Sequence, residues 1–388
     1  MLLIVKDNAG KAGPDSPIYL ASNYVGWNPG DPTMRLQGRS DLRWQIMLPQ
    51  SDRDTRLAFK FTRGMWEKTE CNPDFSPIDN RVLPMVDPST VPADKPYIIE
   101  YEIPAWDDQS PEAAAELAAT DPNARLDVAG GEIVKLEFAG GGGAMAGVAR
   151  NLLIWLPPGY HDPANANREY PVLYLHDGQN LFAKHAGIPA EWGVDETLID
   201  LVGSGAAQPC IVVGIPHAGE SRASEYLMAD VIDGVSPDAD RYVRILADQI
   251  VPRVESAVRA RRSRDARIVG GASLGGLISL YAAFERPEVF GKVLAESPSI
   301  RLRGQTLWTQ ALGKPSKWPT KVFLGGGGRE AGDNADANKA YTSELRSLAG
   351  VLEANGVKTE LLIQPEAEHN EAAWADRFDD AVRFLLGE

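Results

Sequence analysis

From about residue 132 onward, short apolar runs alternate with longer stretches of helical period. The runs at 151–157, 171–176, 210–215, 268–272, 292–296, 321–324 and 359–363 have strand length and are almost continuously apolar. Helical stretches lie between them, near 194–202, 240–260, 274–285, 335–354 and 371–386. Strands buried on both faces and separated by helices predict a mostly parallel sheet covered on both sides. The front of the chain has a different period. Residues 42–48 and 56–62 alternate apolar and polar, 17–23 opens as a strand, 97–103 closes the set, and the turn-rich stretch 25–32 falls between. That pattern predicts a smaller all-β, immunoglobulin-like sandwich of roughly a hundred residues. Between the two regions, Ser110 and Pro111 precede an Ala- and Glu-rich stretch, which reads as a short linker helix. The expected division is a sandwich over 1–106, a linker over 107–131 and an α/β domain over 132–388.

One turn in the α/β region carries chemistry. After the short β-branched run Ile268-Val269 comes Gly271-Ala272-Ser273-Leu274-Gly275, followed by an apolar helical pattern. This G-x-S-x-G stretch between a strand and a helix is a nucleophile elbow, where a serine projects from a turn too tight for large neighbours. With the sheet pattern it predicts an α/β-hydrolase. A serine hydroxyl needs a base, and the base needs an orienting carboxylate. In this architecture the acid and then the histidine follow the serine in chain order. Of five histidines only His369 comes after Ser273. It lies between the last strand and the last helix. The acid is expected in the loop after 321–324, where Glu330 comes first. Asp333 either reaches the histidine or caps the next helix, and Asp336 falls inside that helix. The oxyanion donors are expected to be the backbone N–H groups of Leu274 and of Gln179, which follows Gly178 in the loop after 173–175. Asp177 lines the cleft or holds that loop.

Composition narrows the partners. The 388 residues carry a net charge of −15, which disfavours nucleic acid and anionic membranes. The Arg-rich stretch 259–267 reads as a solvated helix end. No apolar run approaches a membrane span. The opening 1–7 is too short and too soon charged to read as a signal peptide. A chain whose signal had been removed would look the same, so the compartment is open. Cys71 and Cys210 fall in different expected domains and are not expected to pair; no spacing resembles a zinc or other metal site. The four glycines 140–143 lack the Lys and the helix of a phosphate loop.

Several stretches resemble known families. Leu173-Tyr174-Leu175-His176-Asp177-Gly178-Gln179-Asn180-Leu181-Phe182 is similar to the signature of the esterase family that includes enterochelin esterases, esterase D, feruloyl esterases and mycolyltransferases. Residues 191–198, 221–226 and 296–299 match further stretches of that family, and 121–123 resembles its passage between domains. One departure is Gly271-Ala272-Ser273-Leu274, where relatives more commonly carry Gly-Ser-Ser-Met or Gly-His-Ser-Met. The resemblance implies hydrolysis of carboxylic esters through an acyl-serine without a cofactor, supports Glu330 as the acid, and places Trp192 and Arg222 at the cleft. Arg222 either meets an anionic substrate group or pairs with Glu225, and Trp308 and Trp374 are candidate aromatic walls. At the front, 21–29 and 58–70 are similar to starch- and glycogen-binding modules, with Asn80-Arg81 fitting the usual sequel. That resemblance implies sugar stacking on Trp27 and Trp66; core anchoring is the other reading of those rings.

The expected substrate is therefore a small-molecule or oligosaccharide ester, foremost a feruloyl or acetyl ester of a carbohydrate. A trilactone siderophore is the alternative within the same chemistry. A glycan-binding protein with an inactive hydrolase domain is the alternative of another class. A homodimer through the front sandwich is also open.

Overall fold

A computed structural model describes residues 1–14, 16–48, 57–84, 96–110, 128–138, 150–182, 191–232, 234–302, 305–312 and 316–387. The expected linker helix, the 121–123 stretch and the glycines 140–143 lie outside the described residues.

The front region is built from β1 (Leu2–Asp7), β2 (Tyr19–Ser22), β3 (Gln37–Gly38), β4 (Trp44–Met47), β5 (Ala58–Thr62), β6 (Glu70–Cys71), β7 (Arg81–Val82), β8 (Ile98–Ile103) and β9 (Ala105–Trp106). One sheet runs β3-β4-β1-β8, a second runs β2-β5-β7, and β6 pairs with β9. Leu3, Val5 and Ile46 from the first sheet meet Leu20, Phe59 and Phe61 from the second in one core. The opening residues, read in the sequence only for a signal, form a central strand: β1 pairs antiparallel with β4 and parallel with β8. Trp106 is the tryptophan that anchors this core. It is fully buried, and its Nε1 donates to Asp7 Oδ1 at 3.0 Å.

The second region contains β10 (Glu132–Phe138), β11 (Arg150–Leu156), β12 (Val172–His176), β13 (Ile211–Ile215), β14 (Arg267–Ala272), β15 (Lys292–Glu296), a small hairpin of β16 (Arg301–Leu302) and β17 (Gln305–Thr306), β18 (Lys321–Gly327) and β19 (Lys358–Gln364). Eight of these strands form one sheet in the order β10-β11-β13-β12-β14-β15-β18-β19. The first two pairings are antiparallel and the remaining five are parallel. The helix Leu274–Glu285 packs on one face with every residue but Glu285 buried. Helices Val194–Gly203 and Glu371–Leu386 cover the other face with Leu198, Leu201, Phe378 and Leu385. This is the α/β-hydrolase architecture expected from the alternation of buried strands and helices.

Two local expectations differ. The helical stretch near 240–260 is broken by a π-helical turn at Leu246–Ile250 between Ala239–Ile245 and Val251–Ala257. The Arg-rich stretch follows the helix end at Ala257 and is only partly solvated: Arg261 and Arg262 are exposed, while the other arginines are half-buried. Arg267 grips Glu255, Arg264 donates to the carbonyls of Phe290 and Trp318, and the Arg259 guanidinium lies 3.8 Å over the Tyr160 ring. These residues tie the amino end of the central strand β14 to the helix and loops beside it. Cys71 and Cys210 are both buried and free.

Candidate active site

The carboxyl ends of β12, β14, β15, β18 and β19 converge on one cleft. Ser273 follows β14 with φ 56° and ψ −124°, a left-handed setting that costs a non-glycine residue of the order of 1–3 kcal/mol. Its N–H donates to Glu296 O, and its carbonyl accepts from Ser299 N–H, both at 2.9 Å, so the neighbouring β15 loop holds the strain in place. The turn leaves no space for a side chain at Gly271: a Cβ there would lie 2.9 Å from the Gly275 carbonyl carbon. Ser273 is 6% exposed, at the floor of the cleft.

His369, in the loop between β19 and the last helix, bridges two groups. Its Nε2 lies 2.9 Å from Ser273 Oγ and its Nδ1 2.5 Å from Glu330 Oε2. The next residue, Asn370, caps the last helix by accepting from Ala373 N–H, which fixes the loop directly beyond the imidazole. Glu330 lies three residues beyond β18. Its second oxygen, Oε1, accepts from Ser297 Oγ at 2.6 Å and from Gly327 N–H at 2.5 Å. Burial alone would raise this carboxyl. His369 and the two donors outweigh burial and hold it below the usual glutamate value. Asp333, the other candidate acid, is exposed and paired with Arg329, while Asn334 caps the following helix. Asp336 is exposed in that helix.

The loop after β12 turns on Asp177, itself left-handed at φ 56°, and packs so close that a Cβ on Gly178 would lie 2.4 Å from the Gly214 carbonyl carbon. Gln179 follows in a short 3-10 turn, its side-chain Oε1 accepting from His217 N–H. Leu274 opens the buried helix, where a first-turn N–H has no intrahelical acceptor. Asp177 is gripped by Arg222 through two 2.7 Å hydrogen bonds, Nε to Oδ1 and Nη2 to Oδ2. Of the two roles open to Arg222 in the sequence, the pair with Glu225 does not form, because Glu225 is buried against Arg150 instead. Burial raises the Asp177 carboxyl, but Arg222 more than offsets this and lowers it. His176 is a core residue. Its Nδ1 lies 3.0 Å from Gly270 O, and burial pushes its pKa down to about 4.

The cleft is open to solvent, and both regions of the chain line it. Trp192 and Trp374 form one wall, packed on each other, and Trp374 meets the His369 ring edge-on at 5.3 Å. Trp308 is directed elsewhere and donates to Glu344. Trp27 and Trp66 come from the front region; both are half-buried and line the same cleft, so neither is a core anchor. The front loop leans on the elbow, since a Cβ on Gly26 would lie 3.6 Å from the Leu274 side chain.

Four residues given no role in the sequence belong to this region. Lys60 lines the cleft, is only 8% exposed, and has no hydrogen bond or ion pair with any described residue. Burial pushes its ammonium down, against the attraction of Glu371. Glu371 also lines the cleft, and burial pushes its carboxyl up to about 6. Ser297 and Arg377 stand behind Glu330. The period-two pattern around Lys60 was the available signal, as it sets Lys60 on the face opposite Phe59 and Phe61.

The fold and this site define a carboxylic ester hydrolase of the α/β-hydrolase type. The family described as Putative esterase matches residues 144–385, and the chain belongs to it. Among curated relatives, an uncharacterised Bacillus subtilis protein, YbbA, is 24% identical over 250 residues, covering 62% of this chain and 93% of its own. The endo-1,4-beta-xylanase/feruloyl esterase of Xylanibacter ruminicola is 23% identical over 267 residues, covering 68% of this chain but only 33% of that longer protein. Among solved structures, the enterobactin esterase of Shigella flexneri superposes with a TM-score of 0.52 at 16% identity. It covers 99% of this chain and 92% of its own, so the shared fold includes the front region.

Proposed function

We propose that Ser273 attacks a carboxylic ester, with His369 as its general base and Glu330 as the acid that orients the imidazole. The observation that carries this is the position of His369, with one ring nitrogen on a serine strained into the cleft and the other on a buried carboxylate. His369 Nε2 takes the hydroxyl proton as Oγ bonds to the ester carbonyl carbon, and Glu330 stabilises the imidazolium that forms. The oxyanion is received by the N–H groups of Leu274 and Gln179. The imidazolium then protonates the leaving alcohol, and water, activated by the same histidine, releases the acid from the acyl-serine. Turnover of 4-nitrophenyl acetate that is lost in S273A tests the reading.

The best-supported substrate is an acyl ester, feruloyl or acetyl, of a carbohydrate. Trp27 and Trp66 offer ring faces within the cleft, and Lys60 and Glu371 offer a buried donor and acceptor for hydroxyl groups. The feruloyl esterase relative agrees with this chemistry. The second reading, a trilactone siderophore, draws on the enterobactin esterase fold that spans both regions. Parallel assays with feruloylated arabinose and a ferric trilactone separate the two: turnover of the trilactone alone removes the sugar-ester reading.

A further inference from the structure

We infer that Ser297 is a positioning residue for the acid of the triad, locked in its role by Arg377. The inference rests on the Ser273–His369–Glu330 reading and extends it by one residue.

Ser297 is fully buried just beyond β15 and has φ 38°, a left-handed setting for a residue with a Cβ. Its N–H is tied to Gly325 O at 3.0 Å, so its backbone is fixed to the strand that leads to Glu330. Its Oγ lies 2.6 Å from Glu330 Oε1 and 3.2 Å from Arg377 Nη2. A guanidinium can only donate, and a hydroxyl has one proton. Arg377 therefore occupies a lone pair of Ser297 Oγ, and the single hydroxyl proton points at Glu330. The polarity of the chain is set in one direction: Arg377 N–H to Ser297 O, then Ser297 O–H to Glu330 Oε1.

Arg377 cannot turn away. It is fully buried in the last helix, its Nε donates to Glu296 Oε1 at 2.7 Å, and its Nη1 donates to Gln364 Oε1 at 2.8 Å. Ser297 and Gly327 N–H together fill Oε1, which leaves Oε2 as the oxygen that faces His369. The charged and titratable groups around the carboxylate are His369 from the loop after β19, Glu296 from the end of β15, Arg377 from the last helix and Tyr341 from the helix Ala335–Ala354. The Tyr341 hydroxyl donates to Pro298 O at 3.2 Å. Ser297 is the side chain among them that delivers a neutral O–H to the acid.

The test is S297G in the full chain. Glycine accepts the left-handed backbone without strain, so the hydroxyl is deleted while the turn is relieved. S297T restores a hydroxyl at the same carbon. Expected for S297G are a Tm within a few degrees of wild type, because relief of the left-handed backbone offsets much of the cost of the lost hydrogen bonds, kcat on 4-nitrophenyl acetate lower by about tenfold, and KM within about twofold. With one donor fewer, Glu330 becomes a stronger partner for the imidazolium. The acidic limb of the kcat/KM profile then moves to higher pH by a few tenths of a unit. S297T is expected to return the limb towards wild type. An S297G enzyme with wild-type kcat and an unmoved limb overturns the inference while leaving the triad intact. A wild-type rate in S273A overturns the triad reading and this inference with it.

Discussion

Replacing Glu330 with glutamine separates charge from shape at the acid. The side chain keeps its volume, and the Ser297 and Gly327 donors stay where they are. Ser297 Oγ–H and Gly327 N–H both point at Oε1. An amide in that place must put its oxygen on them, which turns its NH2 towards His369 Nδ1. Nδ1 must then accept, so the imidazole proton moves to Nε2, the nitrogen 2.9 Å from Ser273 Oγ. An Nε2 that already carries a proton cannot take the one from serine. The neutral amide also fails to stabilise an imidazolium. A forced wrong tautomer lowers kcat by about 10³–10⁴-fold, which corresponds to about 4–5.5 kcal/mol of transition-state stabilisation. The assay is kcat and KM on 4-nitrophenyl acetate for wild type, E330Q and D333N. Asp333 is exposed against Arg329, so D333N is expected within about twofold of wild type. An E330Q enzyme within tenfold of wild type, or a D333N enzyme as impaired as E330Q, refutes the reasoning.

Three further outcomes follow from the cleft. W27A and W66A are each expected to raise KM for a feruloylated sugar by about three- to tenfold while leaving 4-nitrophenyl acetate unaffected, as read by steady-state kinetics. K60M removes a buried ammonium that has no partner among the described residues; calorimetry near pH 7 is expected to give a higher Tm, and kinetics a higher KM for the hydroxylated ester. Glu371 has its pKa raised from 4.5 to about 6 by burial, so the folded chain binds that proton more tightly than the unfolded chain. Its contribution to stability is therefore lost as pH rises from 4.5 to about 6. E371Q should avoid that loss, so its Tm advantage over wild type grows across this window and is level above it, as measured by thermal melts at stepped pH.

The sheet was legible because each buried strand is a short apolar run and each helix a longer periodic one, and the elbow because only small residues fit where Gly271 meets Gly275. Chain order singled out His369, and the structure brings it to Ser273 and to Glu330 rather than to Asp333. What escaped the sequence has physical reasons. Arg222 pairs with Asp177, 45 residues away, and not with the nearer Glu225, because Glu225 is taken by Arg150 from β11. Such exchanges depend on which loops meet above the sheet. Lys60 sits in an ordinary alternating strand, and only the docking of the front region on the elbow turns it into a cleft residue. Ser297 and Arg377 carry no local signal, since a serine after a strand and an arginine in an amphipathic helix are common. The first strand was hidden because an apolar opening was weighed only as a targeting segment.

The central claim is that Ser273 is an activated nucleophile. Intact-mass and peptide mass spectrometry after treatment with a fluorophosphonate tests it most directly. The expected result is a single adduct on Ser273, formed in step with the loss of esterase activity, absent in S273A and greatly slowed in H369A. An unlabelled Ser273 in an enzyme that still turns over esters, or an S273A variant with wild-type turnover, would contradict it.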